Sequence, residues 1–487
     1  MVTDLENMTR SELIEENKRL RFQVKQLNRL LFGAKRERFI PNRDENQMTL
    51  PFEVEQQDVP EKQKQVITYV REKKKRENHP GRLPLPSHLP VKEITLEPKE
   101  DTSGMKCIGR EVTDQLEMIP AKLFIKRYIR PKYIKQEDQD SLTHSGIIAD
   151  LPVFPIEKGM AGPGLLAQIM IDKFVDHLPI YRQIERFKRE GIKIPSSTIN
   201  GWQEAVCNLL EPLYENLKHR VLSQGYLQVD ETPIQVLDKR KKGKTHRGYH
   251  WVYYSPLEKT VLFDYRDGRS RAGPQKLLKD FTGYLQTDGY SVYDLFAGRK
   301  DITLVNCMAH ARRGFEKALD YDRENAEHAL GMFQKLYAVE RKASQENMTA
   351  DQRHTLRLDE ALPVLNELGK WIANTYKTVL PKSPTGKAMA YCIPRWDNLM
   401  NYLKDGSLEI DNNLAENAIR PIALGRKNYL FAGSSRGAER AAMFYSFFGT
   451  CKKNEVNPFD WLKKVLEVIP EYKVSKLNEL LPQNLEL

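Results

Sequence analysis

The sequence predicts a multidomain α+β protein: an N-terminal coiled-coil helix, a small β-rich module, a helical region, and an α/β core that carries a helical insertion. Three patterns predict it. Leucines at heptad spacing open the chain, helical periodicity governs 162–222, and alternating strands broken by short helices fill 225–310. The 487 residues allow about three domains. With 40% apolar and 29% charged residues, a full-sized core can be buried and wholesale disorder is disfavoured. Lys and Arg number 77 against 66 Asp and Glu, a net charge of +11 that suits a polyanionic partner. The five cysteines stand far apart with no C-x-x-C pair, which excludes a disulfide scaffold and argues against a local zinc knuckle. No apolar run approaches about 18 residues, and the first stretch is polar rather than signal-like. A soluble protein of a reducing, cytoplasmic compartment, with no membrane partner, is expected.

Leu13, Leu20 and Leu27 alternate with Asn17, Val24 and Leu31 in the 4-3 spacing of a coiled-coil seam, and Asn17 on that seam favours a dimer. A leucine-zipper-like helix over 1–38 and a homo-dimer or higher oligomer follow as expectations. A polar linker, 39–78, ends in the basic run REKKKREN. In the β-rich module, 79–150, HPGRLPLPSHLP must be extended or turning, and 91–137 becomes strand-like. There Lys122, Lys126, Arg127, Arg130, Lys132 and Lys135 interleave with Phe124, Tyr128 and Tyr133. Nucleic-acid surfaces mix phosphate-binding cations and stacking rings in this way, although a solvated strand with one aromatic face reads the same.

Residues 151–222 read as helices. Leu165, Leu166, Ile169, Met170 and Phe174 share one face, IYRQIERFKRE forms a second helix ending at Gly191, and Ser196 or Ser197 caps a third. The exposed start of that third helix carries Thr198 and Asn200, so the region resembles a helix-turn-helix and is expected to bind DNA.

Residues 225–310 read as a βββαβαβ run: GYLQVDETPIQVL, GYHWVYYSP and KTVLFDYRDG as a meander, then RAGPQKLLKDF, GYLQTDGY, SVYDLFAGR and ITLVNCMAHARRGF. That order matches a ribonuclease H-like core, placed at 223–315 plus 401–436 with a helical insertion at 316–400 and a helical segment at 437–487. In such a core, carboxylates on the first strand and at the end of the fourth stand side by side. Here they are Asp230 and Asp288, each in an otherwise apolar strand where an unpaired charge is costly. A third acid should come from a helix after the fifth strand. LEIDNNLAENAIRP offers Glu409, Asp411 and Glu416, with Glu340 in the insertion as a further candidate. Glu416 is the choice: Asp411 or Asn412 caps the helix, Pro421 stops it, and Arg420 lies over the same face. Three hard oxygen ligands suit two Mg²⁺ or Mn²⁺ ions acting on a phosphodiester. His310, Arg312 and Arg313 follow the fifth strand, and Arg426, Lys427, Ser434, Ser435 and Arg436 sit in a Gly-containing basic loop; both groups are candidates for DNA phosphate. Trp371 and Trp396 are read as core.

The blocks VDETP, TDGY, CMAHARRGF, EIDNNLAENAIRPIALGRKNYLFAGSSRGAERAA and TCKKNEVNPFDWL, in this order, resemble transposases of the insertion-sequence 66 family. HPGRLPLPSHLP and IPAKLFIKRYIRPKY resemble that family's upstream region, so the likeness covers nearly the whole chain. It implies a bacterial DDE transposase that binds the terminal inverted repeats of its element. Asp230, Asp288 and Glu416 would be its metal-binding acids, double-stranded DNA ends and target DNA its substrates, and small accessory proteins of the same element its further partners. The family's paired cysteines upstream of the catalytic domain are missing, with Cys107 alone remaining, so no zinc is expected. The alternatives are a non-catalytic repressor derived from a transposase and another ribonuclease H-like nuclease. Intact acids at all three positions disfavour the first, and the block after Glu416 disfavours the second.

Overall fold

Between residues 226 and 306 strands form where the alternation places them, and they assemble into one five-stranded sheet whose order, by residue range, is 260–266, 245–255, 226–237, 283–287 and 302–306. A computed structural model describes residues 123–129, 132–133, 147–148, 150–157, 159–238 and 243–485. The coiled-coil helix, the linker, Cys107 and Arg130 lie outside the described residues. Leu151 and Pro152 mark the border between two compact units.

In the first unit, Leu123–Ile129 contradict the strand-like expectation. They join no ladder, and the nearest described pairing is the two-residue antiparallel contact of β1 (Lys132–Tyr133) with β2 (Ile147–Ile148). Phe124, Ile125 and Ile129 stay exposed, and Lys126 sits 5.2 Å over the Tyr128 ring.

In the second unit, α1 (Pro163–Phe174), α2 (Ile180–Arg189) and α3 (Ser196–Leu222) precede the sheet. Gly191, at φ +77°, makes the turn between α2 and α3. Neither Ser196 nor Ser197 caps α3. The cap position is Pro195, whose fixed φ starts the helix without a side-chain acceptor. These helices share a single apolar core with the sheet: Leu166, Ile169, Val206 and Leu210 pack in the same cluster as Val229, Trp251 and Phe263.

β3 (Tyr226–Leu237), β4 (Thr245–Ser255) and β5 (Thr260–Arg266) form the antiparallel meander. After the short α4 (Ala272–Leu277), β6 (Gly283–Thr287) pairs parallel with β3, and β7 (Ile302–Asn306) pairs parallel with β6. The connection between β6 and β7 is a 3₁₀ turn, Ser291–Phe296. β6 reaches only Tyr226–Gln228 of β3, so the far half of β3 has a free flank where Pro233, lacking an N–H, is tolerated. Ala432 fills that flank: its N–H donates to Gln235 O at 2.8 Å and its carbonyl accepts from Leu237 N at 2.9 Å.

β7 runs into α5 (Met308–Ala318). The insertion is helical as expected: α6 (Arg323–Gln345), α7 (Ala350–Leu356), a π turn at Arg357–Ala361, α8 (Leu362–Thr375), α9 (Pro384–Cys392) and α10 (Trp396–Met400). It builds a second apolar core with Tyr226, Val305 and Phe315, against which Trp371 and Trp396 pack. The chain returns through α11 (Asn413–Tyr429) and α12 (Ser435–Lys453) to α13 (Pro458–Val468). Pro421 does not stop α11. It lies inside the helix, which loses one backbone bond there and ends eight residues later, where Leu430 turns to φ +60°.

Candidate active site

Parallel pairing of β3 with β6 sets the first two acids. Gln228 lies opposite Gln286, and Asp230 and Asp288 each follow two residues further on the same face. Asp230 is within β3, and its Oδ1 accepts the Glu231 N–H at 2.7 Å. Burial, and then the nearby charges of Glu231, Asp288 and Glu416, push its carboxyl up to about 8 despite that hydrogen bond.

Asp288 occupies the turn after β6, where its Oδ1 accepts the Tyr290 N–H at 2.8 Å. The insertion fixes this turn from outside: Tyr391 O–H donates to Asp288 O at 2.5 Å, and Arg395 donates to Gly289 O at 3.0 and 3.1 Å. Gly289 is required on two counts. Its φ is +81°, and a Cβ would come within 2.7 Å of Arg395 Nε.

Glu416 lies in the first turn of α11. Its Oε2 is 3.6 Å from Arg313 and its Oε1 is 3.7 Å from His310. That Oε1 is buried without a hydrogen bond. The His310 ring, 3.2 Å from Arg313, is held below its usual pKa by burial and by that guanidinium.

Among the described residues, no three His, Cys, Asp or Glu side chains are gathered tightly enough to hold a metal ion as they stand. Carboxylates without a cation between them repel and take up other donors, as Asp230 and Asp288 do. The donor set nevertheless fits a hard divalent cation. All three candidate groups are carboxylates, Asp230 carries a burial penalty, and Glu416 Oε1 has an unmet acceptor.

The competing acids are otherwise engaged. Glu340 forms a paired ionic contact with Arg357 at 2.8 Å. Asp411 accepts the Asn413 N–H at 3.1 Å and the Tyr337 O–H at 2.9 Å, and so serves at the helix start. Glu409 lies 3.8 Å from Arg353.

The predicted cations divide. His310 and Arg313 are brought to Glu416, whereas Arg312 lies 3.7 Å from Glu316 on its own helix. Arg426 and Lys427 are in the last turn of α11, not in a loop. The Arg426 guanidinium donates to Pro233 O and is thereby tied to β3. Lys427 and Arg420 are exposed, Ser434 caps α12 through the Gly437 N–H at 3.0 Å, and the exposed Arg436 is 3.4 Å from Glu204. Thr198 is half-buried and Asn200 is exposed on α3, while Lys126 and Arg127 are exposed in the first unit.

Sequence reasoning missed several residues around the acids. Glu231 is paired to Arg269 at 2.6 Å, and Arg269 stacks 3.8 Å over the Tyr290 ring beside Asp288. Glu231 was visible beside Asp230, but nothing in the sequence pointed to Arg269 as its partner, or to Tyr391 and Arg395 as partners of Asp288 and Gly289.

Carboxylates on and just beyond two adjacent interior strands, with a third acid on a helix and cations beside it, are the equipment of a nuclease-type enzyme. The comparisons agree. The Transposase IS66 family model matches residues 158–440, Transposase C of IS166 homeodomain matches 19–94, and the IS66 C-terminal element matches 446–483. Among relatives in Sinorhizobium fredii, the uncharacterized protein y4hP is 31% identical over 434 residues, 83% of this chain and 76% of its own length. The uncharacterized protein y4qI is 30% identical over 482 residues, 95% of this chain and 88% of its own. No solved structure matches. The chain belongs to the IS66 family of transposases, enzymes of insertion sequences. Among its described residues, no helix is long and apolar enough to cross a membrane.

Proposed function

We propose that this transposase binds the terminal inverted repeats of its own insertion sequence, cuts a DNA strand there, and joins the freed 3′-hydroxyl to target DNA. The meander followed by two parallel strands supports the ribonuclease H-like reading of the sheet. One observation carries the catalytic reading: Asp230 and Asp288 each follow by two residues the Gln228–Gln286 pair of adjacent parallel strands, and desolvation, more than the charges of Glu231, Asp288 and Glu416, pushes the half-buried Asp230 carboxyl up to about 8.

Asp230, Asp288 and Glu416 would hold two Mg²⁺ or Mn²⁺ ions. Bound there, the ions supply Lewis acidity at the scissile phosphate and lower the pKa of a nucleophilic water or hydroxyl. Arg313, 3.6 Å from Glu416 and 3.2 Å from the His310 ring, is the guanidinium offered to a phosphate oxygen. His310, kept neutral by burial, can orient that oxygen or the attacking hydroxyl without adding charge. The exposed Lys427, Arg436, Arg420, Lys126 and Arg127 add attraction for the duplex backbone, and Thr198 and Asn200 at the start of α3 are placed to read it.

The test is single-residue replacement in the full chain with labelled element ends. Asp230→Asn, Asp288→Asn and Glu416→Gln should each abolish Mg²⁺-dependent cleavage while leaving end binding within about twofold, a loss of at least about 10³ in rate. Glu409→Gln and Arg426→Gln should both retain chemistry. Cleavage by Glu416→Gln near the wild-type rate would reject the assignment of the third acid.

A further inference from the structure

The loop that delivers α11 is held by Gln228 and Gln286, which stand two positions before the proposed catalytic aspartates, and by Tyr226, four before Asp230. Tyr226 and Gln228 on β3 and Gln286 on β6 are buried, at 1%, 0% and 0% exposure, and Tyr226 packs in the core that contains Val305 and Phe315. Tyr226 O–H donates to Gln286 Oε1 at 2.5 Å, and its oxygen accepts the Glu409 N–H at 3.0 Å. Gln286 Nε2 donates to Glu409 O at 2.8 Å. Gln228 Nε2 lies 2.9 Å from Gln286 Oε1 and 3.0 Å from Asp411 O, while its Oε1 accepts the Ala415 N–H at 3.2 Å.

Each polar atom of both amides is thus used, and the contacts fall on both sides of the α11 start. Asn412 supplies no side-chain cap to this helix, and the Ala415 N–H receives its side-chain acceptor from a strand 187 residues earlier. Apolar residues would pack these positions at lower cost, because a buried polar network gains little net stability. What the amides add is register. They read backbone groups at 409, 411 and 415 from the same strand faces that carry Asp230 and Asp288.

We propose that Tyr226, Gln228 and Gln286 are positioning residues that set α11, and with it Glu416, against the two aspartates. This rests on the three-acid reading of the site. In the full-length protein, Gln228→Met and Gln286→Met should raise the Mn²⁺ concentration needed to shift the melting midpoint by about 10–100-fold. They should lower kcat for end cleavage by about the same factor and leave KM for end DNA unchanged. A merely structural role would lower the melting midpoint without moving its Mn²⁺ dependence. Folded Met variants with wild-type Mn²⁺ response and kcat would overturn the proposal. If they do not fold, Tyr226→Phe, which removes one hydroxyl, decides it: the Glu409 amide must exchange faster, and unchanged exchange overturns it. Asp230→Asn, run alongside, separates the two ideas. If it cleaves as wild type, the three-acid reading fails whatever the network variants do. If it is dead while the Met variants are normal, only the network fails.

Discussion

His250 shows how one residue in the sheet sets the acid tolerance of the whole unit. It is fully buried on β4, neither ring nitrogen has a hydrogen-bond partner, and burial with the nearby Arg426 pushes its pKa down to about 3. The folded state therefore binds fewer protons than the unfolded state between about pH 3 and 6.5. Above pH 6.5 the neutral ring adds no pH dependence; as pH falls below it, stability is lost at up to about 1.4 kcal/mol per unit. His250→Leu should shrink the stability difference between pH 7.5 and 4.5, read by denaturant unfolding, by about 2–3 kcal/mol. An unchanged difference would mean that the ring finds a partner or takes its proton in place. Asp230 and Asp288 stood out as candidates at this scale because a carboxylate in an apolar strand is conspicuous. The residues that hold them were not, since Arg269, Tyr391 and Arg395 look like ordinary polar residues of helices and turns until the fold brings them to Glu231, Asp288 and Gly289.

At the scale of elements, the strands were legible from alternation, whereas helix limits failed where proline was treated as a stop or serine as a cap. Pro421 costs α11 one bond, and the remaining turns are still held by packing of Ala415, Ala418 and Ile422 in the core. The role of α12 was not legible at all. β5 is an edge strand, and α12 covers that edge by accepting its free N–H groups: Phe263 N–H on Ser446 Oγ at 2.7 Å and Val261 N–H on Thr450 Oγ1 at 3.0 Å. Both hydroxyls donate in turn to carbonyls of α12 itself, Ala442 O and Ser446 O. Ser446→Ala and Thr450→Val should each cost about 1–3 kcal/mol in denaturant unfolding, because a buried N–H is left unpaired. Thr450→Ser keeps the acceptor and should cost less. Equal losses for Ser and Val at 450 would show that the methyl group, not the hydroxyl, matters there.

For the whole molecule, the sheet separates two apolar cores, one shared by α1–α3 and α11–α13, the other built by the insertion. The helices read from the sequence as a separate DNA-reading region contribute to the first core, so Thr198 and Asn200 project from an element rooted in the same body as the acids. Periodicity revealed that these helices exist, but not what they pack on, because an apolar face does not name its partner. Assembly belongs to this scale too. The heptad seam of 1–38 predicts that a peptide of those residues sediments as a dimer and that Leu20→Pro makes it monomeric. A peptide that stays monomeric at high concentration, with full-length assembly indifferent to Leu20→Pro, would remove the seam from the assembly.

The long reach of Gln228, to a carbonyl 183 residues away, has a consequence in time. A growing chain exposes Asp230 and Asp288 well before Glu416, which is synthesised 128 residues after Asp288. At about 5–20 residues per second that gap lasts roughly 6–26 s, during which the nascent protein holds two acids and no third. Contacts of such sequence separation also close late once synthesis ends. On the proposed three-acid reading, cutting therefore waits until the segment that carries Glu416 has been made and has docked on β3 and β6.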